Sequence, residues 1–353
     1  MPSLFTPYRC FFDAEHQQFE ADAIDFASRS TPRGTIAERV AALGRAGMLT
    51  GVGRSDVRTL AVRRGALAYQ DGLDDLAFIV QELGGFPLHK SGAEPHILEA
   101  ARAGHAVLCF AMTEPEAGSD VAAMTTTATP DGHQFRLTGV KHLISNAPDA
   151  DHAIVFARQA TDGKIAAFIV DQPRTEIQHV SGHSIGRVIL DETPARRIAE
   201  RGGALALGTL ERCRPTVGLA AWGLARRGFD ETVARLLTRV QFGAPLATQP
   251  VVQARIAEMA LDLEQAALSA LWACWARDTT PPDQRTTYMS AVGKLTATEA
   301  AGRVLDQCVQ LTGGLGVTDD HLIQQLWRDA RPLRIYEGAT DVLKTVIAGR
   351  WLA

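Results

Sequence analysis

The sequence has no apolar run approaching the roughly 18 to 20 residues of a membrane-spanning helix, because Arg, Asp or Gly interrupts each apolar stretch early. It has no block of like charge. With 36 Lys plus Arg against 40 Asp plus Glu, the net charge is −4, which gives no electrostatic reason to expect nucleic acid or an anionic membrane as partner. Cysteine is scarce. Cys10, Cys109, Cys213, Cys274 and Cys308 are odd in number, dispersed and never in a Cys-x-x-Cys pair, so neither a disulfide framework nor a zinc site is indicated. The ten histidines contain no His-Glu-x-x-His pair, and no metal is expected. The start, MPSLFTPYRCFFDAEHQQFE, carries acidic residues and no basic segment followed by an apolar core, so no signal or transit peptide is read and a reducing cytoplasm is the expected compartment. Internal repeats and low-complexity tracts are also missing.

What is present is ordinary globular material: 353 residues, 46% hydrophobic and 22% charged, enough for two or three domains with a sizeable core. From Asp13 to about Gly104, segments such as HQQFEADAIDFA and TIAERVAALGRAG space apolar residues three and four apart, as amphipathic helices do. Between Cys109 and about Pro194 the texture changes to short runs of Thr, Val, Ile and Phe. Pro130-Asp131-Gly132, Asn146-Ala147-Pro148-Asp149 and Thr161-Asp162-Gly163 separate these runs as turns, so the block reads as β. After Arg201, long helical periodicity returns, broken at Gln241 to Pro250, at Thr279 to Pro282 and at Gly313 to Gly316; antiparallel bundle packing suits such helices. The expected fold is mainly α with a central β domain, divided as 1–108 (helical), 109–200 (β) and 201–353 (helical bundle).

Two segments stand out: Cys109-Phe110-Ala111-Met112-Thr113-Glu114-Pro115-Glu116-Ala117-Gly118-Ser119-Asp120, and Arg328 through Arg334-Ile335-Tyr336-Glu337-Gly338-Ala339-Thr340. The first exposes backbone N–H groups and hydroxyls on a small-residue turn, suited to a planar heterocycle and a phosphate, although it also reads as a simple turn into a strand. In the second, a carboxylate between an aromatic residue and a glycine can project into a pocket, although most loop glutamates are solvated surface residues. Both segments resemble the signatures of the acyl-CoA dehydrogenase flavoprotein family, in the same order and at about the same separation. Arg214-Pro215 opening a long helix, Arg239-Val240-Gln241-Phe242-Gly243 at its end and Gln310-Leu311-Thr312-Gly313-Gly314-Leu315-Gly316 extend the resemblance over essentially the whole chain. It implies an N-terminal helical domain, a middle β-barrel or sandwich and a C-terminal four-helix bundle.

The resemblance implies FAD as cofactor and Glu337 as the base that removes the α-proton of an acyl thioester while the β-hydride passes to flavin N5. It implies that Phe110, Met112 and Thr113 line the flavin ring, with Leu143 and Ser145 beside it, and that Ser119 reaches a phosphate region of cofactor or substrate. Tyr336, Gly338, Arg214 and Glu211 then fall on the substrate side; a bland reading of the last two is an ion pair one helical turn apart on a solvated face. Arg239, Gln241 and Phe242, with Gln310, Gly313 and Gly314, match residues that cross a subunit interface to a neighbour's FAD, and Thr340 and Asp341 also fall at the cofactor. Arginine suits pyrophosphate through its planar fork. A homo-oligomer, dimer or tetramer, is therefore implied, with an electron-transfer flavoprotein as acceptor. A branch of the family carries its base at the position of Cys213, where a thiol suits packing better, so the assignment returns to Glu337.

The sequence departs from the family pattern at several places. Leu143 stands where a tryptophan is usual and Ser145 where a threonine is; Pro250 and Asp341 replace glutamines, and Ala339 replaces a threonine. The stretch LTGVGRSD between Met48 and Val57 is short for the loop that helps shape the acyl pocket. Three readings follow: an FAD-dependent acyl-CoA dehydrogenase; a dehydrogenase or oxidase acting on an acyl-carrier-protein thioester in specialised biosynthesis; and a degenerate member without catalysis. The retained Glu337, Arg214 and Arg239 favour the first two.

Overall fold

The computed structural model describes residues 3–29, 34–180 and 183–352. Five helices precede the strands: α1 (Ala14–Ser28), α2 (Ile36–Arg45), α3 (Val57–Gln70), α4 (Gly72–Ser91) and α5 (Pro95–Arg102). Seven strands follow: β1 (Leu108–Ala111), β2 (Thr127–Asp131), β3 (Gln134–Ser145), β4 (His152–Gln159), β5 (Ile165–Asp171), β6 (Thr175–Val180) and β7 (His183–Ala199). The chain then returns to helix in α6 (Gly202–Thr238), passes a hairpin of β8 (Val240–Gln241) and β9 (Ala244–Pro245), and continues through α7 (Pro250–Thr279), α8 (Gln284–Thr312), α9 (Leu322–Ala330) and α10 (Thr340–Leu352). The fold is mainly α with a central β region. Among the described residues no helix is long and apolar enough to cross a membrane.

The chain forms two compact units. One, built from Ser30–Ser55 and Leu76–Glu211, contains the sheet. Its strands pair β4 with β2, β2 with β3, β3 with β7, β7 with β5 and β5 back to β4, so they close into a ring. β1 adds in parallel to the start of β4, and β6 adds to β7. Closure satisfies backbone groups that an open sheet would leave at its edges. The alternating side chains Ala153, Val155 and Ala157 of β4 and Ala166, Phe168 and Val170 of β5 fill one common core. α4 is tied to β1 through Gln81, whose amide donates to the Ala106 carbonyl at 2.7 Å and accepts from the Leu108 N–H at 2.7 Å. The short 46–55 segment is tied down too, with the Gly53 N–H bonded to buried Glu82 at 2.8 Å.

The other unit comprises Met1–Arg29, Asp56–Asp75 and Arg212–Ala353. Its core is centred on Trp222, fully buried between the rings of Phe5 (5.2 Å) and Tyr8 (6.2 Å). α6, α7 and α8 meet along a seam of small residues. A Cβ added to Gly218 would lie 2.8 Å from that of Ala270 and 3.1 Å from that of Ala297, and one added to Gly293 would lie 2.7 Å from that of Ala273. Such spacing leaves no room for a larger side chain.

Two proline positions differ from the sequence reading. Arg214-Pro215 does not open α6, which already runs from Gly202 and carries Pro215 inside it; a long helix anchored by packing on both sides of the proline tolerates one lost ladder bond. Pro194 does not end the β block. β7 passes it and continues to Ala199, because Pro194 stands where the strand leaves β3, after Ala195, and takes up β5, from Arg196.

Candidate active site

Glu337 lies in the short connection between α9 and α10, in the left-handed backbone region at φ 52°, and Gly338 follows at φ 109°. Two cations from separate helices pin this bend. Arg214 of α6 donates from Nε to the Glu337 carbonyl at 2.9 Å, and Lys294 of α8 donates from Nζ to the Gly338 carbonyl at 2.7 Å. Glycine is required at 338 for its positive φ and because a Cβ there would lie 2.8 Å from Leu343 Cδ2. The Glu337 side chain is partly buried, and its Oε2 is closed to solvent without a hydrogen-bond partner. Burial pushes this carboxyl up to about 7 against the pull of Arg64, Arg214 and Lys294, and Asp75 adds to the rise. A carboxylate balanced near neutrality, with an uncommitted oxygen in a dry site, is suited to taking a proton.

Around it stand charges that no motif announced. Arg64 of α3 is fully buried, with Nε and Nη2 bonded to Asp75 at 2.8 and 2.9 Å and Nη1 bonded to the Thr216 hydroxyl at 3.1 Å. Lys294 is fully buried and pushed down to about 8, chiefly by desolvation. Burial pushes the Tyr336 phenol well above its ordinary range, with Arg64 pulling the other way. Arg214 thus acts on the backbone of Glu337, while Glu211 falls in the other unit's stretch of α6. Thr340 Oγ1 is bonded to Glu299 at 2.6 Å, which also pairs with Arg334, and exposed Asp341 pairs with Lys344 at 3.0 Å.

In the β-containing unit, the turn after β1 is held by a buried ion pair. Lys141 Nζ lies 2.8 Å from Glu114 Oε1 and also donates to the Met112 carbonyl at 3.2 Å, while the other Glu114 contacts are Thr125 N, Thr125 Oγ1 and Thr126 N. The His142 N–H donates to the Thr113 carbonyl at 2.8 Å, so Met112 and Thr113 sit beside the end of β3. There the β3–β7 ladder slips between Lys141 and Ile144. Leu143 adopts φ 55° and turns outward, 51% exposed, its N–H bonded to Gln178 at 2.9 Å. Ser145 rejoins the ladder opposite Ile185 and is partly exposed, while Phe110 packs on Phe156 at 4.9 Å. Ser119 is exposed further along the turn, next to Gly118, which has open space around its Cα. Leu143 thus presents an exposed apolar side chain where the end of β3 meets the turn that carries Met112 and Thr113.

A third group of expected residues lies on the surface of the helical unit. Arg239, Gln241 and Phe242 occupy the β8–β9 hairpin, with Phe242 at φ 52° and 95% exposed. At the end of α8, Gln310 is exposed and a Cβ added to Gly313 or Gly314 would meet nothing within 4 Å. Internal packing therefore does not account for Gly314, and a fully exposed phenylalanine beside an arginine fits a ligand or second chain that covers it. Sequence reasoning missed Arg64, Asp75 and Lys294. For Lys294 the available signal was a lone charge in a small or apolar helical stretch, Ser290-Ala291-Val292-Gly293-Lys294-Leu295, whereas Arg64 follows Arg63 and Asp75 follows Asp74, so neither stands alone.

Residues 109–195 match the family model described as Acyl-CoA dehydrogenase, middle domain, and residues 200–352 match the Acyl-CoA dehydrogenase, C-terminal domain. The chain is similar to cyclohexane-1-carbonyl-CoA dehydrogenase of Geobacter metallireducens, 30% identical over 77% of this chain and 76% of that protein. It is 34% identical to the human mitochondrial short-chain specific acyl-CoA dehydrogenase over 70% of this chain, spanning 64% of that protein's length. Among solved structures, butyryl-CoA dehydrogenase of Megasphaera elsdenii superposes with a TM-score of 0.86 over 97% of this chain and 99% of that one, at 24% identity. With both signature segments in place and these relatives aligned along most of its length, the chain belongs to the acyl-CoA dehydrogenase family of flavin-dependent oxidoreductases.

Proposed function

We propose that this protein oxidises an acyl-CoA thioester to the α,β-unsaturated thioester, with Glu337 as the base that takes the α-proton. The observation that carries the reading is the Glu337 carboxyl itself, poised near about 7 with Oε2 unbonded and closed to solvent. A thioester α-proton is weakly acidic, and a base ionised at the working pH yet poorly solvated is the form that removes it most effectively. Arg214 and Lys294 hold the peptide bend that presents the carboxylate. Its backbone N–H is available to stabilise the developing enolate oxygen.

FAD, when bound, supplies N5 as acceptor for the β-hydride. Met112, Thr113, Leu143 and Ser145 would hold the ring, with Phe110 behind and Ser119 toward a phosphate. Arg239, Gln241 and Phe242 with Gln310, Gly313 and Gly314 would hold the adenine dinucleotide of a neighbouring copy's FAD, which makes the working form a homodimer or homotetramer. An electron-transfer flavoprotein would be the acceptor partner. The test is Glu337→Gln. The variant keeps the yellow flavin spectrum but loses anaerobic bleaching by acyl-CoA by roughly 10²- to 10⁴-fold; near-normal bleaching would place the base elsewhere.

A further inference from the structure

We infer that Lys294 is a positioning residue for Glu337, its buried ammonium pinning the Gly338 carbonyl and adding, beside Arg64 and Arg214, to the positive charge that faces the neighbouring carboxyl. The inference rests on the reading of Glu337 as the base. Lys294 is fully buried on α8, and its hydrogen bond goes to a neutral carbonyl, with no carboxylate at ion-pair distance among the described residues. Burying an ammonium without a contacting anion is costly, and methionine would fill much the same space without that cost. A carbonyl acceptor alone gives no reason to keep the charge.

The other groups facing Glu337 show why this cation matters. From α3 comes Arg64, from α6 Arg214, from α8 Lys294, from α4 Asp75, and Tyr336 is adjacent in sequence. Arg64 is held in a two-pronged ion pair by Asp75, so its field at Glu337 is offset by an opposite charge. Lys294 lacks that cancellation. It faces Glu337 and, beyond it, Glu299, which is already engaged by Arg334 and Thr340; Arg214 and Arg334 repel it. Burial pushes Glu337 up and Lys294 down toward each other, to about 7 and about 8, and each charge favours the other's ionised form. Once the carboxyl has taken the substrate proton it is neutral, and the ammonium is left to favour the adjacent enolate.

The experiment follows the acid limb of the anaerobic bleaching rate in the flavin-loaded protein, and titrates the Glu337 carboxyl directly by infrared difference against Glu337→Gln. In the wild type the rate rises with pH through about 7 as Glu337 ionises. Lys294→Met should move both the limb and the carboxyl titration up by at least about one pH unit, and Lys294→Arg should return them toward the wild type. An unmoved limb and titration in Lys294→Met, with the rate lowered equally at every pH, would leave Lys294 a packing residue and overturn the inference. Should the methionine variant fail to fold, Lys294→Gln keeps a donor for the Gly338 carbonyl without the charge; the same upward shift supports the inference and an unmoved limb overturns it. Normal bleaching by Glu337→Gln would instead overturn the base assignment, so the two failures are distinguishable.

Discussion

Arg64 commits its guanidinium to Asp75 and Thr216 in a place closed to water. Removing one member of such a pair strands the other, which costs more than the pair contributes. Arg64→Met is expected to lower stability by about 3–5 kcal/mol, read from the urea midpoint, and the double variant Arg64→Met/Asp75→Leu to recover most of it. An unchanged midpoint in the single variant would mean that Asp75 finds another partner. At this scale the sequence spoke unevenly. The bend at Glu337 was legible because it is written locally, before a glycine whose φ of 109° only glycine adopts readily, while the base role proposed for it came from the family resemblance. Arg64, Asp75 and Lys294 were not: Arg64 meets Thr216 and Lys294 meets the Gly338 carbonyl across long separations in sequence, and Asp75 pairs with Arg64 from the next helix, so nothing in the local pattern marks any of them as a buried charge that faces another.

Among the elements, α6, α7 and α8 carry the seam on which Lys294 depends. Gly293 precedes it, and the close approach of α7 at Ala273 and Ser269 sets how deeply this turn of α8 is buried. Gly293→Val is expected to overpack the seam, lowering the thermal midpoint by the equivalent of roughly 1–3 kcal/mol; a variant as stable as wild type would show that the helices can separate freely there. Helix positions were readable from periodicity, since the long helices carry small or apolar stripes, with α7 ending shortly before Pro281-Pro282 and α8 at Gly313. The strand region was readable in type but not in detail. Lys141 to Ser145 reads as plain strand, yet the ladder slips there and Leu143 takes a positive φ, a conformation worth about 1–3 kcal/mol of strain that local sequence does not request. Tertiary pairing imposes it, with the Leu143 N–H bonded to Gln178 of β6 and the His142 N–H to Thr113.

For the whole molecule, acid should be more damaging than the small net charge suggests. Burial pushes Asp56 and Glu114 up, but hydrogen bonds win in both: His16 and Thr59 hold Asp56 at about 2, while Lys141, Thr126 and Thr125 hold Glu114 at about 2. Carboxyls depressed in the folded state stabilise it above their unfolded values, and that stability is lost as pH falls from about 4.5 toward about 2. Glu337 has the opposite sign, its ionisation costing stability as pH rises from about 4.5 through about 7. The urea midpoint should therefore drop steeply below about pH 4.5, and Glu114→Gln should flatten that slope; an equally steep slope in the variant would assign acid sensitivity to other groups. The division of the chain has a consequence for its birth on the ribosome. The β-containing unit draws on two stretches that end at Glu211, so all of its partners exist while the later helices are still being made. The other unit places α1 and α3 with helices that come only after Arg212. Until those helices emerge, Arg64 and Phe5 have no Thr216 or Trp222 to meet, and α1 and α3 have only early contacts such as His16 with Asp56 and Arg64 with Asp75 while the entire sheet is made.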